Sequence, residues 1–216
     1  MEHELRACPR TAKGWGELSG GDPMARASLD PTMPGMNHRT SLLRAATGVL
    51  VATWIGQGVI ALTHTPSGNH SVEGFAEHLQ LALLTTCALA LIPIVSLLGR
   101  LAAAPRPATL ALAGACTLGT LSVISNVNGE DASFFTAVAV PSMLSWLVGF
   151  VLLGVALARS RALPRHLAIG LPVAFVAGAP LGHLGGGLIT AVYWTLVAAE
   201  LGLLTGRPRA AAVPAH

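Results

Sequence analysis

Charge is scarce in this sequence. Asp, Glu, Lys and Arg together make up 11% of the 216 residues while hydrophobic residues make up 52%, against about 25% charged in an ordinary soluble domain. With a mean hydropathy of +0.62, this excludes a water-soluble globule and makes the chain an integral membrane protein. Cysteine is scarce as well. Of the three, Cys8 lies near the N-terminus and Cys87 and Cys116 lie inside apolar runs, which excludes an outward-facing disulfide and leaves them as packing residues. Aromatic residues are 5%, with one Tyr and five Phe. The basic residues therefore have no interleaved aromatics, and nucleic acid is excluded as a partner. There is no ten-residue alternation of the kind a transmembrane barrel requires. No HExxH or comparable metal motif is present, and residues 1–38 lack the apolar core and cleavage site of a signal peptide.

What the chain does have is apolar runs long enough to span about 30 Å of hydrocarbon. Six are predicted as membrane-spanning helices: Leu42–Thr63, Leu79–Leu98, Ala108–Val127, Thr136–Ala158, Leu163–Gly182 and Gly187–Thr205. In lipid the backbone must satisfy its own hydrogen bonds, so such runs are helical. The fold class is an all-α integral membrane bundle of six transmembrane helices. Residues 1–38, rich in Pro, Gly and charge, read as a disordered cytoplasmic tail. Within it Met36 opens "MNHRTSLLRAATGVL", an alternative start. Residues 39–206 form the membrane domain and 207–216 a short second tail.

All 13 Lys and Arg residues fall before the first run, in the second and fourth loops, or after the last run. By the positive-inside bias these segments are cytoplasmic, both termini included, and the localisation is a multi-pass cell-membrane protein. The pI of about 9.1 thus reflects orientation. The opposite loops carry acids and histidines: His64, His70, Glu73, Glu77 and His78, then Glu130 and Asp131, then His183.

Lipid tails are as apolar as leucine, so small residues must hold these helices together. Gly170, Ala174, Gly178, Gly182 and Gly186 recur at i+4 and predict one packing row down the fifth span, with Ala111, Ala115 and Gly119 a shorter row on the third. Gly185–Gly187 predict a tight turn before the sixth span. Pro172 and Pro180 predict a bend in the fifth.

Polar groups in apolar surroundings are the candidate functional residues. Glu200 is the ionisable group deepest within a span, with Tyr193 seven residues earlier on the same face. Gln57, one turn from Thr53, is suited to an interhelical hydrogen bond. Candidate acids are Glu73, Glu77, Asp131 and Glu200. Candidate ligand-binding residues are Gln57, Tyr193 and His183. His70, Glu73, Glu77, His78 and His183 have histidine and carboxylate spacings able to hold Zn²⁺ or a similar cation, although acids at a helix start are also favoured by the helix dipole. The outward-facing turn "GAPLGHLGGG" would bring His183 within reach of Glu73, Glu77 or His78. No pattern calls for a resident metal or other cofactor.

The run "LVGFVLLGVALARSRALPRHLAIGLPV", a glycine-spaced span leaving through Arg-x-Arg and Pro-Arg into the next span, resembles the small six-helix bacterial membrane proteins of unknown function grouped as DUF4386-like. The resemblance implies a six-span bundle and assigns no catalytic residue. Three classes of function follow. A non-enzymatic bundle (an accessory, sensor or small permease subunit) is favoured because no motif demands chemistry. A permease of this size implies a homodimer or a membrane partner subunit. The alternative is a membrane-embedded enzyme that acts on an isoprenoid or lipid by acid catalysis through a carboxyl group of raised pKa.

Overall fold

The computed structural model describes residues 34–64, 72 and 74–204. The predicted tail before residue 34, His70, Glu73 and the chain after residue 204 lie outside the described residues.

Six α-helices follow one another: α1 (Pro34–Thr63), α2 (Phe75–Leu101), α3 (Pro105–Asn128), α4 (Phe135–Ser160), α5 (Arg165–Gly178) and α6 (Gly186–Glu200), with a 3-10 turn over Gly182–Leu184 before α6. Each helix packs on its neighbours in sequence, and α6 returns to pack on α1, so the six close into a ring. Four are long and apolar enough to cross a membrane: His38–Thr63 within α1, then α2, α3 and α4. The all-α bundle of six helices is therefore present, but the helices found where Leu163–Gly182 and Gly187–Thr205 are expected to span are shorter than those runs. α5 has 14 residues and α6 has 15, about 21 and 22 Å at the helical rise.

Local chemistry sets both limits. α5 starts after Pro164 and stops before Pro180, whose missing N–H and restriction of Ala179 do not allow the helix to continue. Pro180 therefore lies beyond α5 rather than bending it, and Pro172 alone sits inside. The reversal is made by Gly185 at φ +83, a left-handed conformation natural to glycine. Gly186 and Gly187 already belong to α6. After Glu200, Gly202 at φ +69 turns the chain out of the helix.

Small residues make the helix contacts, though not in one unbroken row. A Cβ added at Gly149 would lie 2.6 Å from the Ala111 Cα, and one at Gly114 would collide with the Ser142 carbonyl oxygen, so α3 and α4 meet backbone to backbone. A Cβ at Gly119 would lie 2.9 Å from that of Ala88 on α2, and one at Gly178 2.7 Å from the Trp54 ring on α1. The predicted row on α3 thus faces its neighbours. The row on α5 ends at Gly178, because the helix does; at Gly182 an added Cβ meets nothing within 4 Å.

Where backbones come this close, polar side chains reach across to carbonyl oxygens. Gln57 Nε2 donates to Gln80 O at 3.0 Å, Thr85 Oγ1 to Gly119 O at 3.1 Å, Ser145 Oγ to Leu110 O at 3.0 Å and Thr190 Oγ1 to Ala174 O at 2.9 Å. These bonds tie α1 to α2, α2 to α3, α3 to α4 and α5 to α6. They supply directional attraction that apolar packing in lipid does not.

Candidate functional site

One end of the ring, formed by the end of α1, the start of α2, the start of α4 and the turn after α5, opens into a cavity of about 320 Å³. Trp54 and Gln57 line it from α1, Gln80 and Leu84 from α2, Leu118 from α3, Phe135, Met143 and Trp146 from α4, Gly178 from α5, and His183 from the turn before α6. α1 to α5 and the turn before α6 thus each contribute to its wall. Arg100, Arg106, Arg159, Arg161 and Arg165 lie at the loops of the opposite end, with Arg39 and Arg44 in the first part of α1.

The cavity stands on an aromatic floor. Trp146 packs edge-on against Phe150 and Phe175, with ring centroids 6.0 and 5.1 Å away, and Phe150 passes the contact to Trp194 at 6.4 Å. Tyr193 follows at 5.3 Å from Trp194. Such edge-to-face pairs are favoured by the ring quadrupoles. Beyond these rings, toward the end of α4 and the start of α5, Leu153, Leu157 and Leu171 continue the buried core.

Two of its walls carry an unusual feature. Trp54 is 3% exposed and Trp146 2%, and neither indole Nε1–H has a hydrogen-bond partner among the described residues. Buried tryptophans ordinarily find an acceptor, and leaving a buried donor unpaired costs about 1–3 kcal/mol. Both unpaired donors belong to rings on the wall of the same cavity. Around them stand the amides of Gln57 and Gln80, the Met143 thioether and, at the exposed mouth, His183. Gln57 is partly committed, since its Nε2 bonds to Gln80 O. The named lining contains no carboxylate. The cavity can hold a compact, mostly apolar molecule, and two of the rings in its wall carry buried, unpaired N–H donors.

Of the described residues singled out in the sequence, the structure brings Gln57 and His183 to this cavity and places the others elsewhere. Tyr193 is buried between α5 and α6, its Oη donating to Leu167 O at 2.9 Å and its ring filling the space over Gly170. Asp131 accepts from Ser125 Oγ at 2.7 Å beyond the end of α3. Glu77 has His64 as an ion-pair neighbour, Nε2 to Oε1 at 3.9 Å, which links the facing ends of α1 and α2. His78 Nδ1 is hydrogen-bonded to Asn126 Oδ1 and ties α2 to α3. Glu200 lies at the far end, in a recess lined also by Arg161 and Arg165. The described residues hold no group of three metal-ligating side chains; His70 and Glu73 lie outside them.

Sequence reasoning passed over Trp54, Trp146, Gln80 and Met143. A signal existed for the tryptophans. In membrane helices Trp concentrates at the two interfaces, whereas Trp54 and Trp146 both stand well inside apolar runs, where an indole N–H has no water to meet.

Comparison with known proteins gives no match among family models, curated proteins or solved structures.

Proposed function

We propose that this chain is a six-span membrane protein with both termini cytoplasmic, which binds a compact apolar molecule bearing hydrogen-bond acceptors in the cavity at its outer end. It acts by binding, as an accessory, sensor or small permease subunit. The single observation that carries the reading is the pair of buried, unpaired indole N–H groups on the wall of one cavity. The absence of a carboxylate from the named lining favours binding over acid catalysis. The resemblance of residues 147–173 to DUF4386-like proteins would imply a bundle and assigns no site.

Six spans are supported despite the short final helices. Gly185 packs against Leu62 and Gly187 against Gly58, while Leu203 and Leu204 share a groove with Arg44 and Thr47. The segment from Gly185 to Leu204 therefore runs beside nearly the whole apolar length of α1. Orientation rests on the arginines. With six spans, a reporter fused after Arg106 or Arg165 is expected to read cytoplasmic and one fused at Asp131 external. An external signal after Arg165 would overturn the topology.

The binding reading is tested with 1,4-naphthoquinone, which carries two carbonyl acceptors, against naphthalene, which carries none. Thermal shifts of the purified chain in detergent are expected to show tighter binding of the quinone, by about thirtyfold if each of the two indole donors contributes roughly 1 kcal/mol. In the Trp54→Phe/Trp146→Phe double variant both compounds should bind alike. Equal affinity for the two compounds in the unaltered chain, or a quinone preference that survives the double substitution, would refute it.

A further inference from the structure

A second recess, at the opposite end of the bundle, lies outside that reading. It is a groove of about 520 Å³ between α4 and α5. Its walls are Val151, Val155 and Ala158 on α4 and Ala168, Ile169 and Pro172 on α5; its mouth is Arg159, Arg161 and Arg165. The two helices can form so continuous a groove because Gly154 lets them touch: a Cβ there would lie 2.5 Å from the Ala168 carbonyl oxygen. Val155 at 44% and Ile169 at 64% exposure turn its walls toward the surroundings of the bundle, where a membrane places acyl chains.

The mouth is unlike the other helix connections. Arg159 ends α4 on the groove side, and Arg161 follows as a left-handed cap at φ 56, a conformation uncommon for a residue with a side chain. Arg165 is the first residue of α5, which begins without a side-chain cap. Three guanidinium groups and the positive end of a helix dipole thus converge on the end of one apolar channel. Each of these favours a phosphate oxygen. All three border the groove, and Arg161 and Arg165 border also the recess that contains Glu200.

We propose that this groove binds an anionic phospholipid, its phosphate held by Arg159, Arg161 and Arg165 and one acyl chain laid along Val151, Val155 and Ile169. The dimensions agree. From Arg159 back to Val151 is about 12 Å of helix, close to the roughly 15 Å of one hydrocarbon leaflet. The charge selects the headgroup. Phosphatidylcholine would bring its own ammonium among three arginines, a like-charge penalty that phosphatidylglycerol does not incur. A basic pocket between helices at the cytoplasmic surface is a recognised arrangement for anionic headgroups, and the proposed topology puts this end there, although the lipid site rests on the groove and its arginines alone.

The full chain in a neutral maltoside detergent is titrated with dioleoylphosphatidylglycerol or dioleoylphosphatidylcholine, and bound lipid is counted by native mass spectrometry. Phosphatidylglycerol is expected to bind on the order of a hundredfold tighter, from about fivefold per arginine. That preference should vanish in the Arg159→Gln/Arg161→Gln/Arg165→Gln variant. All three side chains are exposed, so the substitution leaves the core intact. It should persist in Arg100→Gln/Arg106→Gln, which removes charge from the neighbouring loop. A Val155→Trp variant, which fills the channel and spares the arginines, should bind either lipid more weakly. Equal binding of the two lipids, an equal loss in the Arg100/Arg106 variant, or displacement of the lipid by millimolar inorganic phosphate would overturn the proposal.

Discussion

Gly187→Leu is expected to prevent the bundle from closing. α6 meets α1 at this residue with no side chain between the backbones: a Cβ on Gly187 would lie 2.6 Å from the Trp54 carbonyl oxygen and 2.8 Å from the Gly58 nitrogen. The facing residue is equally constrained, since a Cβ on Gly58 would lie 2.9 Å from the Leu188 nitrogen. The obstacles are backbone atoms inside helices, so no rotamer change relieves them. The ring must open at α1 and α6, at a cost of about 3 kcal/mol or more. Gly178→Leu should act in the same direction through a different contact. It would push into the Trp54 ring and the Thr190 hydroxyl, which donates to Ala174 O across the α5–α6 contact. Gly182→Leu is the control, because it has open space around it. Melting temperatures in one detergent should fall steeply for the first two and hardly for the third. Three equal temperatures would mean that α6 does not close on α1.

That triplet also shows how far the pattern of small residues could be read from sequence. The i+4 spacing identified Gly170 and Gly178 as contact residues, and both are: their neighbours are Tyr193 on α6 and Trp54 on α1. Periodicity assumes that the helix continues, however, and it then assigned Gly182 to the same face. Pro180 had already ended the helix, and the signal was present in the sequence, since proline and its preceding residue stop a helix in lipid as in water unless neighbouring groups take up the freed carbonyls. Number of helices, class of fold and clustering of arginines at the loops of one end follow from composition and hydropathy. Ring closure does not, because it depends on which faces meet, and in a membrane both faces of a helix are apolar. Gln57 was identified as an interhelical hydrogen-bonding residue by its polarity, and it bonds to Gln80 O. The polar cluster between the first two helices is chemically conspicuous in the sequence. Its described side chains serve instead as ties between helices, with His78 bonded to Asn126 and His64 facing Glu77. The cavity is made of residues that look like filler one at a time.

Trp146 separates filler from function. The residue is 2% exposed, its backbone nitrogen and Cβ lie against Gly114, and its ring carries the edge contacts to Phe150 and Phe175. Trp146→Ala should therefore cost about 3–5 kcal/mol, the usual penalty for emptying a buried aromatic site, and should collapse or enlarge the cavity together with its floor. Trp146→Phe keeps a ring in place and removes the indole N–H. If that N–H served only the fold, the substitution would cost up to about 1.5 kcal/mol through imperfect filling. It has no partner among the described residues, so its removal also relieves an unpaired buried donor, a gain of about 1–3 kcal/mol. The two effects oppose each other. The expected result is a chain as stable as the unaltered one, or more stable, that has lost part of its affinity for 1,4-naphthoquinone and none for naphthalene. Trp54→Phe should behave the same way, since its N–H is buried and unpaired beside the same cavity. Stability gained as acceptor binding is lost is the signature of a residue retained for its ligand at the expense of the fold. A Trp146→Phe variant that melts well below the unaltered chain and still prefers the quinone would place the indole among packing residues and remove the donor pair from the site.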